Sequence, residues 1–175
     1  MKMGKLIANE TRHIYITGLH NAHAMETQAI ELLTRQSERL ENYPEMEAQL
    51  RAHLAESKIQ RSRLEEVMAS LDEKHSALKE AILGFGGNIA ALAHTAASDE
   101  IIKNTLANYM FEHFEIAAYK SLIEMADYLG DAEGASAAKA SLGEEERMAA
   151  WIDTQIAPTT LTYMKRIEMG VQADH

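Results

Sequence analysis

Glutamates standing where a buried apolar stripe should run carry the chemistry of this chain. In the run Met110-Phe111-Glu112-His113-Phe114-Glu115-Ile116, two acids lie three residues apart. Around them Ile102, Thr105, Tyr109, Glu112, Ile116, Tyr119 and Ile123 recur at steps of three and four, the core period of a bundled helix. Glu112 therefore points at the core, and Glu115 flanks it on the same face. Burying a carboxylate is costly unless a cation meets it, and a metal ion is one such cation.

Three more helical seams carry the same intrusion. Glu26 interrupts the face of Leu19, Ala22, Ala29, Leu33 and Leu40. The face Leu50, His53, Glu56 or Ser57, Gln60, Leu64 and Val67 offers an imidazole and a carboxylate three residues apart. Glu145 takes a core place among Ala138, Leu142, Ala149, Ile152 and Ile156. Inward glutamates on four helices with a nearby histidine are the ligand chemistry of a dinuclear carboxylate site, which suits iron, manganese or zinc. Two ions repel each other, so such a site needs several acids to bridge them. A single helical glutamate more often faces water, and the chain has 27 acidic residues. The coincidence of four, one per helix at matching levels, favours a metal site.

The elements that must position these side chains are helices near 11–40, 45–71, 74–95, 98–129 and 131–156. Pro44 suits the first turn of the second helix. Gly84, Gly86 and Gly87 interrupt the third, which serves as a long crossover between two hairpins. Gly130 is a left-handed cap candidate, Gly134 and Gly143 weaken the last helix, and Pro158 closes it. The segment 159–175, with Leu161, Met164, Ile167 and Val171, is a short amphipathic tail that folds back on the bundle or joins a partner chain. The expected architecture is all-α: one domain over 1–175, a four-helix bundle with its core at about 18–158 and additional short helices.

Composition bounds the function. At 175 residues the chain can bury one full core. Cysteine is absent, which excludes disulfides, thiolate zinc sites and iron–sulfur clusters. A net charge of −10 argues against nucleic-acid partners and anionic membrane surfaces, and is compatible with attracting cations. Met1 to His13 has no apolar signal-type run, and no segment approaches transmembrane length. A cytoplasmic protein is expected, with no phosphate loop, nucleophile elbow or organic substrate implied.

Ala52-His53-Leu54-Ala55-Glu56-Ser57 with Gln60 and Arg63-Leu64-Glu65, then Glu112-His113-Phe114-Glu115-Ile116-Ala117-Ala118-Tyr119, then Leu142-Gly143-Glu144-Glu145-Glu146 form a recognisable set. From about Gly18 to Gly170 the chain resembles the bacterial YciE/YciF-type ferritin-like proteins. The resemblance implies a ferritin-like four-helix bundle, a homodimer, a dinuclear centre of two divalent ions and an association with bacterial stress. Carried over by position, the metal ligands are Glu26, His53, Glu56, Glu112, Glu115 and Glu145.

One departure from the wider ferritin-like pattern matters. That pattern places a histidine three residues after the glutamate on two core helices, where this chain has Ile59 and Met148. A site with at most one imidazole is oxygen-rich, which sets metal binding ahead of oxidase or peroxidase activity. The third reading is a metal-free structural bundle whose acids pair with Arg63, His53 or each other. Among lesser candidates, His113 points away from Glu112 and suits a surface or supporting role. Tyr109 and Tyr119 need partners such as a ligand carboxylate. His20 and His23, three apart, have the spacing to clamp a metal, but near a terminus a solvated pair is the expectation. Gln60 either orients Glu56 or lies near the metal, and Glu144 and Glu146 should face outward.

Overall fold

The structure is a computed structural model that describes residues 2–72 and 98–174, with side chains from residue 9 onward. Four helices make the bundle: α1 (Lys2–Ser37), α2 (Pro44–Ser70), α3 (Glu100–Leu129) and α4 (Ala132–Glu168). Their directions follow from specific contacts. Arg39 meets Glu100 at 2.8 Å and Asn108 donates to Gln36, so the end of α1 lies beside the start of α3. Tyr15 donates to Asp131 at 2.7 Å, which puts the start of α1 beside the end of α3. In the same way Arg63 reaches Ser141 while Gln49 reaches Met148, so α2 and α4 are antiparallel.

The carbonyl of Leu71 accepts from Arg12, at the end of the bundle opposite Glu100. Helices α2 and α3 are therefore parallel. This is the up–down–down–up order of a ferritin-like bundle. The helix expected near 74–95, with Gly84, Gly86 and Gly87, lies outside the described residues. No helix among the described residues is long and apolar enough to cross a membrane.

Local chemistry explains the helix ends. Pro44 opens α2 where its missing N–H costs nothing. Gly130 takes a left-handed φ of 76° and the Asp131 N–H reaches back to the Ala126 carbonyl, which closes α3. Asp131 then caps α4 by accepting from the Gly134 N–H at 2.9 Å. Gly134 is more than a weak helix former: a Cβ there would collide with the Tyr15 hydroxyl, so glycine permits the Tyr15–Asp131 bond.

Pro158 does not end the last helix. It lies inside α4, which continues to Glu168. An internal proline costs about 3 kcal/mol, and tertiary anchors on the extension offset that cost. Tyr163 donates to the Ser98 carbonyl and Arg166 to Asn42 Oδ1 at 2.6 Å, while Thr159 is buried. Beyond the helix the tail folds back: the Ala173 carbonyl accepts from Tyr43, and the Asp174 carbonyl from the Ile101 N–H. Leu161, Met164 and Ile167 stay exposed.

Two apolar layers hold the helices together. One gathers Tyr15, Leu19, Leu64, Val67, Leu122 and Ala126; the other gathers Leu33, Leu40, Met46, Leu50, Met148 and Ile152. A fully buried aliphatic side chain contributes about 1.5–3 kcal/mol. Between the layers the chain places Glu26, His53, Glu112, Glu115 and Glu145, all buried.

Candidate metal centre

Each bundle helix sends at least one polar side chain into this middle layer at a position its apolar neighbours force inward. Glu26 comes from α1, His53 from α2, Glu112 and Glu115 from α3, and Glu145 from α4. One ligand atom from each of His53, Glu112, Glu115 and Glu145 lies within 4.8 Å of all the others, the spread a metal ion's donors occupy. His53 Nε2 is 3.2 Å from Glu112 Oε2 and 3.4 Å from Glu145 Oε2, yet has no aligned hydrogen bond to either. Glu26 stands beside this group, its Oε1 accepting from the Tyr119 hydroxyl at 2.6 Å.

The electrostatics are those of acids crowded away from water. Burial pushes Glu112 up to about 8, with His53 pulling the other way. Glu26 and Glu115 are driven well above the carboxylate range, first by burial and then by Glu145. Burial acts upward on Glu145 as well, but the charge of His53 beside it holds it below its usual value. Burial lowers His53, and Glu112 and Glu145 outweigh that to raise it. In the absence of an ion, protons and one imidazolium–carboxylate pair carry the balance.

Glu56 is not brought into the buried group. Its side chain is 35% exposed and lies behind His53, with Oε2 3.1 Å from Nδ1. Arg147 holds the other oxygen of Glu56 at 3.4 Å. A carboxylate on Nδ1 keeps a ring proton there and leaves Nε2 as the atom that faces the acids, an arrangement typical of metal-binding histidines.

Glu144 does not face outward. It bridges to α2, gripped by both terminal nitrogens of Arg63 at 2.6 and 2.9 Å, and it accepts from Gln60 Nε2 at 3.0 Å. Glu146 is exposed as expected. His20 and His23 are buried rather than solvated, and His23 Nε2 lies 2.9 Å from Glu65 Oε1. The reason is that α1 begins at Lys2, so these histidines lie well inside a helix and away from its end. His113 is exposed, packed edge-on against Tyr109 with ring centres 4.5 Å apart. The Arg63–Glu144 pair was the main feature missed by sequence reasoning. The sequence marks Arg63 as a partner for internal acids, but with Glu144 expected to face outward nothing in it joins the two.

Fold and site together define a ferritin-like four-helix bundle with a histidine–carboxylate cluster at its centre. The chain belongs to the family described as Domain of unknown function (DUF892), whose model matches residues 10–165. Among solved structures it is similar to a protein from Xanthomonas campestris pv. campestris, at 24% identity and TM-score 0.77, over 91% of this chain and 99% of that one. It is also similar to the E. coli stress protein YciF, at 22% identity and TM-score 0.71, over 84% of this chain and 94% of that one. YcfI from Rhodopseudomonas palustris matches at 25% identity and TM-score 0.64, over 82% and 93% of the two chains. At these identities the likeness is one of fold.

Proposed function

We propose that this protein binds divalent metal in its middle layer, two ions per chain, with iron the leading occupant and manganese or zinc the other candidates. The observation that carries this reading is the concentration of unmatched atoms. Glu26 Oε2, His53 Nε2, Glu112 Oε2 and both oxygens of Glu115 and Glu145 are buried without a hydrogen-bond partner. Buried polar atoms in folded proteins are nearly always paired, so this set fits a cation. Charge agrees: four ionised carboxylates and a neutral imidazole balance two divalent ions.

His53, Glu112, Glu115 and Glu145 would hold the metal, with Glu26 joining them by its free oxygen. Such ions supply Lewis acidity and, if iron or manganese, one-electron redox chemistry at a site closed to bulk water. The chain's own contribution is legible. Glu56 fixes the His53 tautomer, Tyr119 orients Glu26, and the apolar layers above and below exclude solvent. The description of YciF as a stress protein supports a protective role in metal handling.

A metal-free bundle with protonated acids is the competing reading, favoured by the upward displacement of Glu26, Glu112 and Glu115. Elemental analysis of protein purified without chelator or nickel separates the two. Close to two atoms per chain, lost in Glu112→Ala, is the expected result. A value near zero that added iron or manganese cannot raise would leave only the metal-free bundle.

A further inference from the structure

Two supporting chains flank the middle layer, and they are built alike. On one side Arg147 meets Glu56, and Glu56 meets His53 Nδ1. On the other Arg63 grips Glu144, and Glu144 accepts from Gln60 Nε2. Each runs arginine, carboxylate, then a nitrogen-bearing side chain of α2, and each crosses between α2 and α4. In the first, α4 gives the cation and α2 the acid; in the second those roles are exchanged.

The ends of the two chains match as well. His53 and Gln60 lie two helical turns apart on the inner face of α2 and are both fully buried. His53 presents an unpartnered Nε2 and Gln60 an unpartnered Oε1, with the hydroxyl of Ser57, also buried and unpartnered, between them on the same face. The amide of Gln60 has its orientation fixed by chemistry. A carboxylate held by arginine only accepts, so it takes the NH2 group and the carbonyl oxygen turns elsewhere. Glu145, also fully buried, lies beside this face, with its Oε2 3.4 Å from His53 Nε2 and both of its oxygens unpartnered.

We infer that the layer holds two unequal metal positions: one with the His53 nitrogen, and one all-oxygen position whose neutral ligand is the Gln60 carbonyl oxygen, held in place by Glu144 and Arg63. The inference rests on the metal-binding reading above and deepens it. The two positions share Glu115 and Glu145, while Glu26 belongs with the Gln60 side. Imidazole suits zinc and iron, and an all-oxygen set suits manganese or magnesium. The protein is thereby adapted to hold two different metals at once.

Metal titration of the chelator-stripped full chain tests this, using calorimetry for affinity and manganese paramagnetic resonance for the number of bound ions. The wild type should bind two Mn2+ with distinct affinities. Gln60→Leu should lose the weaker position, its affinity falling at least 100-fold, with the tighter one changed less than threefold. Arg63→Met, which frees Glu144, should weaken the same position about tenfold, the usual scale for a residue that supports a ligand. Gln60→Glu keeps the size, adds a charge, and should tighten that position at least tenfold; it serves if Gln60→Leu does not fold.

Two equal Mn2+ sites in the wild type, or both sites unchanged in Gln60→Leu and Gln60→Glu, would overturn the inference and leave metal binding intact. A single site in the wild type would overturn it in the same way. No binding at all would remove the metal-binding reading, and this inference with it.

Discussion

At the ends of the bundle most buried polar groups among the described residues meet protein partners, Gln36 Nε2 being an exception, while in the middle they are left to one another. Tyr15 donates to Asp131, Tyr43 to a tail carbonyl and Asn108 to Gln36, so these polar groups reinforce the packing of the apolar layers around them. In the middle layer His53, Glu112, Glu115 and Glu145 face each other with most of their inner atoms unpaired. Removing a partner from a buried polar atom costs about 1–3 kcal/mol, so the fold sustains this layer on stability that its ends provide. The ends are built for folding, and the middle suits the metal proposed above.

Substitutions in the two regions should therefore fail differently. Leu50→Ala, in an apolar layer, should lose about 2–5 kcal/mol of stability, yet the folded fraction should keep its metal. Glu112→Ala should lose the metal, at least 100-fold in affinity, while the stripped protein is no less stable than its parent. Metal-dependent melting gives the same contrast: with free ion a thousandfold above Kd, linkage adds about 4 kcal/mol, or roughly 8–16 °C for a chain of this size. A Glu112→Ala protein that unfolds as readily as Leu50→Ala, or a Leu50→Ala protein that loses metal while folded, would erase the distinction.

The pH dependence of the metal-free protein sharpens the contrast next. Glu112 titrates near 8 in the fold against about 4.5 when exposed. Between those values the folded state holds more protons than the unfolded one, so stability falls as pH rises. The contribution is full below about 4.5 and gone above about 8. At about 1.4 kcal/mol per unit, Glu112 alone makes this a loss on the order of 3–5 kcal/mol. Glu26 and Glu115 shift the same way, and His53, raised in the fold, also loses its contribution as pH rises through its folded value. Within the cluster Glu145, held low, acts oppositely, and its contribution disappears below the carboxylate range. Urea melts at pH 5 and pH 8 should show the stripped protein weaker at pH 8 and the metal-loaded protein stronger there, because ions displace protons. Equal stability of the stripped protein at both values would mean the acids are already satisfied.

Most of the fold was legible in the sequence because its signal is local. The three-and-four recurrence, Pro44 and Gly130 fix where α2 and α3 lie to within a residue or two. Pro158 misled because its effect depends on what the chain beyond it touches; Tyr163 and Arg166 find partners far away in sequence. The site divides along the same line. Periodicity shows that Glu26, His53, Glu112, Glu115 and Glu145 point inward. It cannot show whether Glu56 or Ser57 shares His53's face, since both fall within one turn, and the structure buries Ser57. Nor can it pair Glu144 with Arg63, 81 residues away.

A smaller effect separates the supports from the ligands. Arg147→Met leaves Glu56 without its cation, and Glu56 then holds the His53 tautomer less firmly. Metal affinity at the His53 position should fall about tenfold, or 1.4 kcal/mol, measured by zinc competition against an indicator. Stability of the stripped protein should barely move, because the Arg147 contact is exposed and surface pairs contribute little. A change in stability without a change in zinc affinity would place Glu56 with the packing and not with the site.

The finest discrimination concerns Glu26, which belongs to both regions. Its Oε1 is matched to Tyr119 as at the bundle ends, and its Oε2 is unmatched as in the middle layer. Tyr119→Phe removes one buried hydrogen bond and should cost the stripped protein about 1–2 kcal/mol. If Glu26 gives its free oxygen to an ion, the carboxylate is held by that ion too, and the loaded protein should lose less than half as much. Thermal melts of the wild type and Tyr119→Phe, each with and without metal, form a closed cycle that reads the difference directly. Equal losses in the two states would keep Glu26 with Tyr119 and outside the ligand set, leaving His53, Glu112, Glu115 and Glu145 to hold the metal.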